Sequence, residues 1–382
     1  MTGDNEKSTP IAQSLIANVQ LGLPATASRI SSKIRFINKI APGLKEGGVV
    51  RNILPIKPLT IEASGIASSS RTTPAFGGIL YISAACGQNV IVKDNSIYKT
   101  EQESIVDVDE TDDLDLQKKL KFLKIISVYQ LLDKIIEKKQ HTELLMVDTP
   151  LLLELADIPL EDRTEMKKLF DKCKNKIENF WEKHKDQIFP FNPFGIKLVS
   201  VGNKRFGAIF FALADENIKY VVDPVKSDIS SLVKSEMSRL QGVGIKRLLN
   251  GILTKCTRTA AFQFDGISDR NRLEPEKIRK YGLIGMHIKA GNNTPPTLIE
   301  TLGSKDNWTS ESLDELAAQI ISLINFDQKK ALPLPLWYAK YSLKPVDTKP
   351  GILEFYKAHA KEILQNESLE NNWKQDFEVF EE

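Results

Sequence analysis

The chain has 382 residues, of which 41% are hydrophobic and 27% charged, with a formal net charge of +2 and three cysteines. That length supports one large or two moderate domains with a sizeable core, and the composition excludes a disordered, fibrous or disulfide-stapled protein. The small net charge leaves nucleic-acid affinity to local patches only.

In chain order, the first ten residues read as disordered, without the apolar stretch of a signal peptide. No later run is long enough to span a bilayer, which predicts no membrane partner. From Ile11 to Leu44 the apolar spacing is helical, with Ile30, Ile34, Ile37 and Ile40 alternating with Arg29, Lys33, Arg35 and Lys39. Gly47-Gly48, Pro55 and Pro58 then break the chain. Leu59–Ile66 predicts a strand, Ser68–Pro74 a polar loop, and Phe76–Cys86 a second strand. Gly87-Gln88-Asn89 reads as a turn into Val90–Val92, so that these strands form a meander. The acidic run Glu101–Asp115 predicts a solvated loop and a helix start, where acids favour the macrodipole. It lacks the loop glycine of a calcium site. Leu116–Lys139 is a long amphipathic helix, and Leu144–Val147 is a buried strand ending at Asp148.

Beyond Asp148, Ile158–Lys185 is charged and helical, and Lys197–Ser200, Phe206–Leu213 and Tyr220–Val225 read as strands. Lys226 to Arg258 is helical and then irregular, and Leu283–Ile288 is apolar enough for a strand. Leu313–Ile324 is an amphipathic helix with Ser310 as its N-cap, Pro333 and Pro335 open a new segment, and Ile352–Leu364 is the last helix. An acidic tail with Trp373, Phe377 and Phe380 follows. Strands and helices mix throughout, which predicts an α/β or α+β class.

Asp148 draws attention because Thr149-Pro150 turns the chain directly after it, at the strand end where α/β sheets present polar groups to ligands. A carboxylate buried there needs hydration, a partner or a metal; a turn-forming or capping aspartate is the competing reading. Cys86, Cys173 and Cys256 show no metal-ligand spacing and read as reduced thiols in a cytoplasmic protein. His141, His184, His287 and His359 are dispersed; His287, on a predicted strand, reads as a core or edge histidine before a catalytic one. There is no P-loop, dinucleotide fingerprint or nucleophile elbow. Between Val221 and Ala290 basic residues outnumber acidic ones by roughly two to one, with Lys246, Arg247, Lys255, Arg258, Arg270, Arg272, Arg279 and Lys280 the main contributors. Such a group can attract phosphates through salt-dependent, sequence-independent contacts, against the alternative of a solvated face.

Four separated stretches, in order, resemble the NurA family of DNA-end-processing nucleases. They are Ile61-Glu62-Ala63-Ser64-Gly65-Ile66 with the glycine-led Gly77-Gly78-Ile79-Leu80-Tyr81, then Val147-Asp148-Thr149-Pro150-Leu151, Thr297-Leu298-Ile299-Glu300, and Leu332-Pro333-Leu334-Pro335-Leu336-Trp337-Tyr338-Ala339-Lys340. The resemblance implies an RNase H-like mixed sheet core flanked by helices, with helical N- and C-terminal extensions. It divides the chain into an N-terminal tail and arm (1–50), a NurA-like core (51–345) and a C-terminal helix with acidic tail (346–382). It also implies a ring-shaped homodimer, DNA as ligand, and a HerA-like hexameric ATPase as partner in DNA repair or anti-phage defence.

The family's catalytic positions are mostly substituted. Its first aspartate maps to Ser64, its helix glutamate near Tyr129–Gln130, its tyrosine to Leu332 and its histidine to Lys340; Asp148 alone keeps the family's residue. Two-metal phosphodiester hydrolysis needs several carboxylates, so the resemblance implies a degraded nuclease with no cofactor and a non-catalytic DNA-binding or scaffolding role. The first alternative is an active Mn²⁺- or Mg²⁺-dependent deoxyribonuclease whose metals are held by Asp148 and Glu62, since Glu62 shares a strand face with Ser64. The second is an oligomeric interaction protein with no DNA role.

Overall fold

The computed structural model describes residues 10–366 apart from 76–77, 112–114, 139–141, 155–156, 161–162, 203–207, 216–218, 264–271, 274–281, 327–330 and 348–351. The chain opens with α1 (Pro10–Glu46) and β1 (Val50–Asn52), and continues into the long strands β2 (Ile61–Ala75), β3 (Gly78–Lys93) and β4 (Ser96–Thr111). Helix α2 (Leu116–Lys138) leads to β5 (Leu144–Val147) and the short β6 (Leu153–Glu154), after which come α3 (Thr164–His184) and β7 (Lys197–Val201). Three helices, α4 (Ala208–Ala214), α5 (Asp228–Val243) and α6 (Ile245–Ile252), precede β8 (Thr257–Thr259), β9 (Phe262–Gln263), β10 (Arg272–Leu273), β11 (Leu283–Lys289) and β12 (Thr297–Leu302). Helices α7 (Ser310–Asn325), α8 (Leu334–Ser342), α9 (Lys344–Asp347) and α10 (Ile352–Asn366) close the described chain.

The main sheet runs β1-β8-β11-β12-β7-β5-β2-β3-β4, with β9 also paired to β11. The antiparallel meander β2-β3-β4 is followed by α2 and by β5 parallel to β2, and β5 is in turn parallel to β7. This is the RNase H-like arrangement implied by the resemblance: a large mixed sheet flanked by helices. One face of the sheet packs on α2, α3, α5, α6 and the C-terminal third of α1, around Phe36, Phe122, Tyr129, Leu145 and Phe180. The other packs on α7 and α8, around Met146, Ile284, Leu316 and Leu336. Burial on both faces explains the uninterrupted apolar run of β5, buried at every position from Leu144 to Val147.

Several sequence expectations are corrected. Ser68–Pro74 is not a loop: β2 runs through it, and Ser68, Ser70 and Thr72 pair with Ala85, Ser83 and Tyr81 on β3. Gly87-Gln88-Asn89 lies inside β3. The acidic run is largely strand β4 at the edge of the sheet, where charges discourage pairing with another chain. Its β-branched Ile97, Ile105, Val106 and Val108 were outvoted by the acids between them. Of the expected strand Phe206–Leu213, residues 208–213 are helix α4 and the rest lies outside the described residues; a short apolar run does not separate the two by period. Tyr220–Val225 makes one isolated bridge, Val221 to Phe262, instead of a strand. The cap of α7 is Thr309, one residue before Ser310, in a reciprocal box with Ser312. No described helix is long and apolar enough to cross a membrane.

Candidate functional site

Asp148 follows the last residue of β5, where Val147 is paired with Ile66, so it lies level with Ala67 of β2. Its N–H donates to the Ile66 carbonyl (3.2 Å), continuing the ladder by one bond. Ser68 then donates twice to the half-buried carboxylate, from its N–H to Oδ2 (2.9 Å) and from its hydroxyl to Oδ1 (3.0 Å). The turn after Asp148 is held from α2, where the buried Tyr129 hydroxyl donates to the Leu151 carbonyl (2.6 Å), and from β7, where Ser200 donates to the Thr149 carbonyl (2.8 Å). Burial pushes the Asp148 carboxyl above its usual range, against the opposing pull of the Ser68 hydrogen bonds and of the Lys340 and Lys124 charges.

Lys340 therefore does come into electrostatic range of Asp148. The close approach of α8 to β2 brings it there: Gly65 lies so near that a Cβ would fall 2.4 Å from the Leu336 nitrogen and 2.5 Å from the Pro335 carbonyl carbon. Lys124 comes from α2 on the opposite face of the sheet.

The other positions do not converge. Ser64 is fully buried and donates to Asn89 (2.9 Å), whose amide donates to Glu62 (2.9 Å). Glu62 lies beside the start of β5, its carbonyl accepting from the Glu143 N–H (3.0 Å). Five residues of strand separate it from the level of Asp148, roughly 16 Å at ~3.3 Å per residue. Glu62 and Asp148 thus cannot share a metal ion, which corrects the alternative of a site rebuilt on that pair. Gln130 faces the groove between α2 and α3, with Lys168, Asp171 and Lys176 among its neighbours, not the strand end.

The residues gathered at Asp148 do not fit the two divalent cations of phosphodiester hydrolysis. One carboxylate, already accepting two hydrogen bonds from Ser68, does not offset the charge of two hard dications, and the positive field of Lys340 and Lys124 opposes them further. Among the described residues no group of three or more Asp, Glu, His or Cys is placed to hold a metal.

The basic group divides sharply. Arg258 is fully buried: Nη1 and Nη2 donate to Asp223 (2.7 and 2.8 Å) and Nε to Asp314 (2.6 Å). It ties β8 to the start of α7 and contacts no DNA, a correction that the sequence alone offered no means to make. Arg51 joins the same pair of acids. Lys246, Arg247 and Lys255 are exposed. Arg272 is in β10, paired with Glu154; Arg270, Arg279 and Lys280 lie outside the described residues, as does His141. His287 is buried, its imidazole stacked 6.0 Å from Phe262 and driven down to a pKa of about 3 by burial. His184 bridges Asp133 and Gln187 (3.0 Å each). Cys86, Cys173 and Cys256 are free thiols.

Sequence reasoning missed Ser68 and Lys124. The one available signal for Ser68 was a strand continuing beyond Gly65 with polar residues on both faces, a pattern also typical of a loop.

The sequence matches no family model and no curated protein. Solved structures do match. The NurA nuclease from Sulfolobus solfataricus is 11% identical, with 95% of this chain and 99% of that chain covered at a TM-score of 0.59. A NurA structure with manganese (8% identity, 93% and 99% covered) and Endonuclease V from Bacillus subtilis (11%, 84% and 92%) follow at TM-scores of 0.44 and 0.33. The topology built strand by strand above, with a match that spans nearly the whole of both chains, means that this chain has a NurA-like fold.

Proposed function

We propose that this chain is a cytoplasmic, homodimeric, DNA-binding or scaffolding subunit of a HerA-type ATPase complex, acting in DNA repair or anti-phage defence without nuclease chemistry of its own. The observation that carries the reading is the state of Asp148. The aspartate that the NurA resemblance makes a metal ligand is held by Ser68 and faced by Lys340 and Lys124. A fold kept while the aspartate at its metal position is engaged by Ser68 and lies in the positive field of two lysines fits a protein that grips DNA for another enzyme. Lys246, Arg247 and Lys255 are the exposed residues assigned to phosphate contact.

The test is hydrolysis of linear DNA by purified protein with Mn²⁺ or Mg²⁺, beside the Asp148→Ala variant. The expected result is no cleavage above background by either protein. Robust metal-dependent cleavage that Asp148→Ala abolishes would overturn the proposal. Co-elution with a hexameric HerA-type ATPase, and sedimentation of the free protein as a dimer, test the partner and the oligomeric state.

A further inference from the structure

Helices α5 and α6 are separated by one residue, Gly244, whose φ of +86° suits a residue without a Cβ. The break re-aims the chain and leaves the first turn of α6 at the rim of a groove of about 910 Å³. Lys33 of α1, Lys246 and Arg247 of α6, Asn250, and Asn292 and Asn293 of the β11–β12 loop line it. Among the described residues no carboxylate does. The contrast with the cavity of about 790 Å³ lined by Glu137, Glu143, Asp186 and Glu315 is sharp, since there the acids outnumber the single Lys197. On a chain of net charge +2, charge is segregated between two comparable concavities.

One lining residue, Asn250, is held from the sheet. Lys289, the last residue of β11, is buried, and its ammonium donates to both the carbonyl (3.2 Å) and Oδ1 (2.8 Å) of Asn250. With Oδ1 accepting from Lys289, the amide N–H₂ is the donor that Asn250 has left. Both acceptors are neutral, so this bond does not cancel the charge of Lys289, and burial lowers its affinity for the proton. A polyanion over the groove would add favourable field to an ammonium already committed to the interior. The loop wall is also fixed, because the Thr294 hydroxyl accepts from the Gly291 N–H (2.8 Å) and donates to its carbonyl (2.9 Å).

Position relates the groove to Asp148. β11 is antiparallel to β12, β12 is antiparallel to β7, and β7 is parallel to β5. Lys289 and Asp148 therefore lie toward the same end of the sheet, three strands (roughly 14 Å) apart across it and offset by three residues (roughly 10 Å) along it, because Asp148 is level with Met286.

We infer that this groove seats the phosphodiester backbone of a single DNA strand, with Lys33, Lys246 and Arg247 pairing with successive phosphates and Asn250 donating to a phosphate oxygen. This deepens the DNA-binding reading above and rests on it. Among the described residues its lining supplies positive charge and amide donors without an aromatic platform, so recognition is of backbone rather than base.

The experiment is fluorescence anisotropy of a labelled twelve-nucleotide oligothymidylate against salt. It compares wild type, the combined variant Lys33→Gln/Lys246→Gln/Arg247→Gln, and a control with the same charge change on exposed α3 residues, Lys168→Gln/Lys174→Gln/Lys183→Gln. Loss of three phosphate contacts lowers the log–log salt slope by about two units and affinity by about 100-fold at about 0.1 M salt. The control stays near wild type, and matching thermal melts show that all three proteins fold. If wild type binds and the groove variant binds equally well, the groove assignment is wrong while the DNA-binding function stands. No binding by wild type overturns both. Displacement of the oligonucleotide by inorganic phosphate at equal phosphate concentration would mean a small-anion site and overturn the strand reading.

Discussion

At the scale of residues, two aspartates show how the surroundings assign opposite meanings to one side chain. Burial raises the Asp223 carboxyl, but the Arg258 hydrogen bonds and charge outweigh it, so it titrates below the usual range. Asp148 titrates above that range because burial wins over Ser68 and the two lysines. The linkage signs are therefore opposed. Asp223 contributes stability that is present above its unfolded value of about 3.9 and is lost as pH falls through its lower folded value. Asp148 imposes a penalty absent below about pH 3.9 that accrues as pH rises through its higher folded value. Urea midpoints should accordingly show the advantage of wild type over Asp223→Asn shrinking between about pH 5 and about pH 3, while that over Asp148→Asn grows over the same interval. Parallel trends for the two variants would contradict these environments. Replacing Arg258 by Met leaves Asp223 buried without its main counter-charge and is expected to cost about 3–5 kcal/mol, read as a lower urea midpoint. A loss under about 1 kcal/mol would show Arg258 to be far less committed to the interior.

At the scale of elements, α1 divides by burial. Ile11, Leu15, Ile16, Val19, Leu21 and Leu23 are exposed, whereas Phe36, Ile37, Ile40 and Leu44 belong to the main core. Removing residues 1–28 is expected to shift the melting midpoint by no more than about 2 °C, as for other changes that leave the core intact. Leu44→Ala, by contrast, is expected to cost about 2–5 kcal/mol. A large destabilisation by the truncation would show that the outer half of the helix is part of the folding unit. Helix α8 depends on the bare backbone of Gly65, and Gly65→Ala is expected to cost about 1–3 kcal/mol by pushing Pro335 and Leu336 off β2. The same displacement would move Lys340 away from Asp148, so the Asp148 titration followed by carboxyl NMR should shift further upward. An unchanged titration would sever Lys340 from the site.

At the scale of the whole molecule, the sequence by itself determined most elements and their class. Helices α2, α3 and α7 and strands β5, β7 and β11 announce themselves, because a one-sided or fully buried element writes its period or its apolar run into consecutive residues. The ordered motifs also carried the resemblance to the fold that the finished topology displays. Element type failed where local composition and sheet membership disagree. The polar outer half of β2 and the acidic β4 become strands because the long hairpins continue to pair beyond the apolar core, and α4 is too short for its period to show. The site was decided only in three dimensions. Nothing near Arg258 in the sequence distinguishes it from Arg247, since its acids are 35 and 56 residues away and meet it only when β8 and α7 close on the segment holding Asp223. In the same way Glu62 lies on β2 and Asp148 directly follows β5, yet the parallel register of β2 and β5 sets them at opposite ends of β5. A side chain's charge is written in the sequence; whether that charge meets water, DNA or a buried counter-ion is fixed by which distant segments the sheet order brings beside it.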